Sequence, residues 1–453
     1  METIDLVQPR HDYAPPFESG EQGHIYMPTS MQTVAARLEH VGVETRIFDE
    51  NFRKARLTSN ITGINLVGAP YIPEAIELQR RIRGERAGDG KFLLGGKVIS
   101  GLKPDEFTQL FGTDSSNGNI DTMLTTNLRI QGVLPQKEDV SLIGIYEKID
   151  DDDMREYLSR EFGFYLSQGC NQACSFCAAD KEQRERYRNI DIAIKDLNYL
   201  IQRAKKLGIN KLSMYLSNLD LFQSPEMLYN FSQEIKRLKE ENPRFEIETR
   251  GLSRVTSFLS AAKKHEEWVH AIRASGLTTV GFGVDGFDDL VFRLTRKNQT
   301  IDECERAVRT SRQDFGITPE ILMVFGHYGA DTVETLSAAY RFTVEMMEKY
   351  GAIPRPHISK SFTPGNEGWL NPDQHPKKAI DQLIQDPKMF QVLDFTTLAS
   401  ELTHPDQVIR DTVNGYYLKI CKLSPLSTQW TSPQGIDETI EENKARNMGK
   451  YDR

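Results

Sequence analysis

Residues 162–180 read FGFYLSQGCNQACSFCAAD: a mostly apolar run from Phe162 to Leu166 stops at Gly169, and Cys170, Cys174 and Cys177 follow at once. Aromatic and apolar residues bounded by a turn signal read as a strand, so the cysteines stand in the loop where that strand ends. Five more runs have the same character: KLSMYL (211–216), FEIET (245–249), LTTVGFGV (277–284), PEILMVF (319–325) and RPHISKSF (355–362). Helical periodicity separates them around 191–207, 225–240, 262–275, 301–315 and 331–350. Six strands alternating with helices predict an α/β fold, a partial (β/α)6 barrel of the TIM type over residues 161–370. In such barrels the chemistry sits where the strands end, since the loops vary freely while the strands hold them in place.

Upstream, IDLVQP (4–9), VETRIFD (43–49), INLVG (64–68) and KFLLGG (91–96) alternate with helices carrying Met31, Val34, Leu38 and Val41, then Ala75, Leu78 and Ile82. Continuous apolar strands between amphipathic helices predict a doubly wound, Rossmann-like parallel sheet within residues 1–125. Ser, Asn, Asp and Gly then accumulate (GTDSSNGN), and an acidic run, IDDDD, precedes the barrel, so residues 126–160 read as a linker. Residues 371–453 read as a mainly helical C-terminal segment.

The 453 residues are 38% hydrophobic and 27% charged, ordinary values for a globular protein without a membrane span. A formal net charge of -9, with no basic stripe, disfavours a nucleic-acid partner. METIDLVQPR has no basic start followed by an apolar run, and a cytoplasmic location is expected. Five cysteines, three of them within eight residues, make a poor disulfide framework and suit thiolates that bind metal in a reducing compartment.

Thiolates suit iron-sulfur clusters, and a fully ligated 4Fe-4S cluster takes four of them. Three leave one iron open, as an open position distinguishes a catalytic metal from a structural one. The alternative is a structural zinc site completed by Cys304, Cys421 or a histidine. Cys304 shares a helix face with Ile301, Ala307 and Val308, and Cys421 ends the run YYLKIC, so both read as packing residues.

The C-x3-C-x2-C string resembles the C-x3-C-x-aromatic-C motif of the radical S-adenosylmethionine (SAM) superfamily, with Phe176 in the aromatic position. The resemblance implies that Cys170, Cys174 and Cys177 hold a 4Fe-4S cluster whose open iron chelates SAM, and that an electron from the cluster breaks a carbon–sulfur bond. ASGLTTVGFGVDGFDD (274–289) is similar to the family's strand-four segment, with Asp285 and Gly286 in place of Glu and Ser, so Asp285 is implied to meet the ribose of SAM. RKNQTIDECERAV (296–308) resembles the usual continuation, and SFTPGNEGW (361–369) a later Pro-Gly-Thr segment with Asn366 in place of Thr. Other polar groups expected at strand ends are Asn218 and Asp220 after the second strand, Arg250 after the third and Gly326 after the fifth, as cosubstrate contacts. His327 and Tyr328 are candidates for proton transfer or pocket shaping.

PTSMQTVAARLEHVGVETRIFDEN (28–51), GINLVGAPYIPEAIELQRRIRG (63–84) and KFLLGGKVISG (91–101) resemble the cobalamin-binding domain that precedes the barrel in cobalamin-dependent members. Open α/β sheets bind ligands beyond their carboxyl ends, which places Asn65, Ala69, Pro70, Gly95, Gly96 and Lys97 nearest a cofactor. No Asp-x-His-x-x-Gly motif occurs in the first 160 residues, leaving two alternatives: cobalamin without a protein histidine, or a domain that has lost the cofactor. The resemblance implies an alkyl transferase that moves methyl by way of cobalamin to a small molecule, with an electron donor such as a flavodoxin or ferredoxin as partner. Cobalamin-free chemistry is the first alternative, such as 3-amino-3-carboxypropyl transfer to an arsenical. A metal-stabilised module that senses a corrinoid or nucleotide is the second.

Overall fold

The computed structural model describes residues 3–10, 27–85, 90–117, 134–178, 185–360, 362–394 and 397–423. Its first sheet contains β1 (Thr3–Gln8), β2 (Glu44–Asp49), β3 (Ile61–Asn65), β4 (Lys91–Gly95) and β5 (Ser115–Asn117), all parallel, in the order β2-β1-β3-β4-β5. The strand order reverses between β1 and β3, which makes their carboxyl ends the switch point where doubly wound sheets take ligands. Short β5 falls in the Ser- and Asn-rich stretch.

The second sheet is six-stranded and parallel: β6 (Glu161–Phe164), then, past a two-stranded hairpin of β7 (Ser167–Gln168) and β8 (Arg186–Tyr187), β9 (Lys211–Leu216), β10 (Glu246–Ser253), β11 (Leu277–Gly283), β12 (Thr318–Phe325) and β13 (Ile353–Ile358). Its strands run in chain order from β6 to β13, and the sheet curls into the expected half-barrel. Burial alternates along them: Leu212, Met214 and Leu216 are buried in the core formed with the helices, whereas Lys211, Ser213 and Tyr215 are only half-buried. A period of two is the strand repeat, and here it divides a helix-covered face from a lumen-facing one.

The helices begin where the sequence offers caps. Asn189 caps Ile190–Lys206, Thr300 forms a capping box with Glu303 at Ile301–Gln313, and Thr332 caps Val333–Tyr350. The acidic run behaves likewise: the Asp150 side chain accepts from the Asp153 N–H, and three aspartates fill the first turn of Asp151–Leu158, where the helix dipole favours negative charge. Met154, Tyr157 and Leu158 of that helix are buried in the barrel core, so this part of the expected linker is packed structure.

The C-terminal segment serves both sheets. Phe362, Trp369, Leu383 and Phe390 are buried with Val98, Phe107 and Phe111 of the N-terminal unit, while Gln407–Leu423 returns to pack on β13 and the helix Val333–Tyr350. The chain between β13 and its covering helix therefore detours across the N-terminal unit. At the junction a Cβ placed on Gly101 would stand 2.2 Å from the Gly365 backbone nitrogen, an approach only glycine permits.

Candidate active site

The β7–β8 hairpin closes the neck of the cysteine loop. Ser175 N–H donates to the Thr295 carbonyl at 3.0 Å, Glu367 N–H donates to the Ser175 carbonyl at 3.3 Å, and Cys174 Sγ lies 3.9 Å from the Arg296 carbonyl oxygen. Arg296, itself at φ 55°, pairs with Glu367 and joins the two clamping segments. All three thiols are half-buried, and Cys177 lies within electrostatic reach of both others. Burial pushes the Cys170 and Cys174 thiols up; the Gln172 backbone N–H opposes this at Cys170, and Lys297 opposes it at Cys174. Among the described residues no three His, Cys, Asp or Glu side chains converge on one metal ion. A cluster does not require such convergence, because each thiolate binds its own iron. Three thiols spread along a clamped loop fit that donor chemistry.

Phe176 turns inward from the loop. Its ring centroid is 5.0 Å from that of His327, and Lys297 Nζ lies 6.0 Å from it on another side. His327 is 3% exposed and bridges three strand ends: Nε2 is 3.2 Å from the Asp285 carbonyl and Nδ1 is 3.3 Å from Ser359 Oγ. A carbonyl only accepts, so Nε2 donates and Nδ1 receives the serine hydroxyl. Both nitrogens are then satisfied, and His327 acts as a wedge under Phe176. Tyr328, the next residue, has its ring near His375 and His404 and its hydroxyl 3.1 Å from Asp373, on the C-terminal segment.

Asp285 stands two residues beyond β11 with φ 51°, a left-handed conformation that Asp tolerates better than most residues. Its carboxylate pairs with Lys297, and both side chains are at least nine-tenths buried. Burial works against the Lys297 ammonium, but Asp285 and then Cys174 outweigh it, leaving the pKa raised. Gly283 makes room for the pair: a Cβ there would stand 2.7 Å from Lys297 Nζ and 2.9 Å from Asp285 Oδ2. The sequence reading passed over Lys297, since nothing local marks a lysine after a short helix as buried.

The remaining candidates spread out. Asn218 is buried, and its Oδ1 has no hydrogen-bond partner among the described residues. Asp220 is committed to the fold, accepting from Ser253 Oγ, the Arg254 N–H and Ser257 Oγ at 3.0, 3.1 and 2.6 Å. Gly326 closes on the C-terminal helix, where an added Cβ would stand 2.9 Å from Val413 Cγ2. Arg250 departs from expectation: β10 continues to Ser253, so Arg250 lies inside the strand. It meets both Glu161 oxygens, with Nη2 to Oε2 at 2.6 Å, and lies 3.5 Å from Glu320, which also holds Arg355 at 2.6 Å. Four alternating charges thus line the lumen from β6 to β13.

His357 faces the same lumen from β13. Burial lowers its pKa to about 4, against Asp285 and Asp394 and together with Arg355. Between pH 6.5 and about 4 the unfolded chain binds a proton that the folded chain refuses. Stability is therefore expected to fall as pH drops through that window, by on the order of 2 kcal/mol from this group. Denaturant titrations at pH 7 and 4.5 should show that loss in the wild type and a smaller one in His357→Gln; equal losses would assign the effect elsewhere.

At the N-terminal sheet's switch point, Asn65 Nδ2 donates to Gln8 Oε1 at 2.7 Å. Ala69 is a core residue and faces away from any ligand there, while Pro70 is half-buried. Gly95 has open space above its Cα, Gly96 has φ 124°, and Val67 is 61% exposed. Lys97 begins a short helix after the Gly pair. No helix among the described residues is long and apolar enough to cross a membrane.

Residues 164–339 match the Radical SAM superfamily. No curated protein matches the chain. Among solved structures, the radical SAM methyltransferase TsrM from Kitasatospora setae, with cobalamin and a [4Fe-4S] cluster bound, is 18% identical with a TM-score of 0.57, covering 79% of this chain and 75% of its own. TsrM with tryptophan substrate and the SAM analogue aza-SAM aligns at a TM-score of 0.59 and 17% identity, over 81% and 75% of the two chains. The cobalamin-dependent radical enzyme OxsB, with aqua-cobalamin and SAM, is 15% identical with a TM-score of 0.59, over 86% of this chain and 56% of its own. These likenesses extend the shared fold across both sheets. Residues 164–339, the part of the half-barrel that carries the three cysteines, thus match a radical SAM domain, and such a domain implies a 4Fe-4S cluster and SAM as cofactors.

Proposed function

We propose that this protein is a radical SAM transferase that delivers an alkyl group, methyl carried by a corrinoid, to a small-molecule substrate. One observation carries the reading beyond the superfamily: the carboxyl edge of the N-terminal sheet reaches the cysteine loop. Gly101 abuts Gly365, and a Cβ on Gly365 would stand 3.8 Å from that of Ala178, the residue after Cys177. At that edge, among the described residues, exposed Val67 and the open space above Gly95 suit a broad, flat macrocycle.

Cys170, Cys174 and Cys177 would hold the cluster, which when bound supplies the electron that breaks a carbon–sulfur bond of SAM. Phe176 and His327 set the height of the loop, and the Arg296–Glu367 pair keeps it between its two clamps. Asp285 and Lys297 present a fixed pair of opposite charges at the mouth of the lumen. The C-terminal detour holds the two sheets together, so that a substrate would enter between them.

Anaerobic turnover with dithionite, followed by mass spectrometry of the SAM-derived products, tests this. S-adenosylhomocysteine from methyl transfer, together with 5′-deoxyadenosine from the reductive cleavage, formed when cobalamin is supplied, is the expected result. Methylthioadenosine would instead identify 3-amino-3-carboxypropyl transfer, and a colourless protein without turnover would remove the radical assignment.

A further inference from the structure

The buried Lys297–Asp285 pair is not needed to close the fold at that point. The strand has ended, the helix Asp289–Leu294 carries its own cap at Asp288, and Gln299 Nε2 already ties the returning chain to the Val284 carbonyl at 2.9 Å. Lys297 is nevertheless drawn in to lie against the cysteine loop. Its Nζ faces the Asp285 carboxylate, the ring of Phe176 at 6.0 Å and the electrostatic field of Cys174. Gly283 is the only residue type that leaves it room. Arg254 acts on both Cys170 and Cys174, with Nη2 donating to the Asn298 carbonyl at 3.3 Å. Among the described residues, the charges that act on these thiols are Lys297 and Asp285 at Cys174, Asp220 at Cys170 and Arg254 at both, with Lys297 on the Cys174–Phe176 side.

A charge buried beside a metal cluster shifts its reduction equilibrium, because net charge and the field at the sulfurs set the potential. From this geometry we infer that Lys297 is a positioning residue for the electron-accepting step. Its ammonium, held in place by Asp285, stabilises the extra negative charge when a low-potential one-electron donor passes one electron to the oxidised cluster. The donor loses that electron, the cluster gains it, and no bond forms or breaks in this step. Asp285 aims the ammonium and tempers its field, which fits a pair that is neutral overall but has its positive end toward the thiol.

The inference rests on the cluster assigned above, and a redox titration followed by electron paramagnetic resonance separates the two. Absence of a cluster from reconstituted wild type would remove the assignment itself. With the cluster present, Lys297→Met should be roughly tenfold harder to reduce at a fixed potential, a midpoint lower by about 59 mV for one electron. Lys297→Arg should remain near wild type, because it keeps the charge. Lys297→Met leaves Asp285 buried without its partner, so Lys297→Met/Asp285→Asn is measured alongside it. If the single variant fails to take up iron, the decision passes to Lys297→Arg and the double variant, which should show no shift and a lowering smaller than that expected from losing the cation alone. Identical midpoints in wild type, Lys297→Arg and every iron-loaded variant lacking the ammonium would overturn the inference. So would an equal shift in Lys297→Arg, which would make the lysine a packing element.

Discussion

Replacing Cys170, Cys174 and Cys177 together by Ala is expected to leave a folded protein that takes up no cluster and no longer cleaves SAM. The loop that carries them lies outside the packed core: all three are half-buried, and its hold on the barrel is made by backbone groups of Ser175 and Glu367. Losing three thiols therefore removes every ligand without removing a core contact. Iron and sulfide, about four of each per chain in reconstituted wild type, should fall to background while the thermal transition moves little. Cys304→Ala and Cys421→Ala should show the opposite, because both side chains are buried in the core. They cost stability through the space they vacate and spare the iron. Loss of cluster in either would make it a fourth ligand, and cluster absorbance retained in the triple variant would end the assignment.

The largest stability effect is expected at Glu320. Its carboxylate serves Arg355 and Arg250 at once, and Glu161 is the only other acid in that chain of four charges. Glu320→Ala removes the acid that both guanidinium groups meet, at a point where Glu320 and Arg355 are almost fully buried. Removing one partner of a buried ion network costs about 3–5 kcal/mol, because the remaining charge has been desolvated and loses a close counter-ion. At roughly 2–4 °C per kcal/mol for a domain of this size, the melting temperature should drop by on the order of 10 °C. Glu345→Ala, which breaks the exposed pair with Lys349, should leave the melting temperature close to that of the wild type. A Glu320→Ala protein that melts like wild type would mean that water fills the lumen and solvates the arginines.

Local sequence carried much of the architecture because its signals are short-range. The runs KLSMYL and KFLLGG depend only on residues within one strand, and both form strands of the expected sheets. The helical stretch around 262–275 is instead broken at His265 into Val255–Lys264 and Glu266–Ser275, a boundary set by packing. FEIET by itself predicts a strand ending at Thr249, with Arg250 just beyond it; pairing of β10 with β9 and β11 extends the strand through Arg250.

The sequence by itself determined the order of strands and helices, the position of the cysteine loop at a strand end and the packing character of Cys304 and Cys421, because hydrophobic period, turn residues and ligand spacing are written in neighbouring residues. Only the tertiary structure decided that Lys297 reaches Asp285 beside Cys174, that Glu161, Arg250, Glu320 and Arg355 meet across the lumen, and that the C-terminal detour meets the cysteine loop through Gly101 and Gly365. Those partners lie between 12 and about 260 residues apart in the chain, and a charge shows in the sequence without its counter-ion. Whether it is solvated or buried against its opposite depends on how the half-barrel curls and on which strands that curl brings face to face.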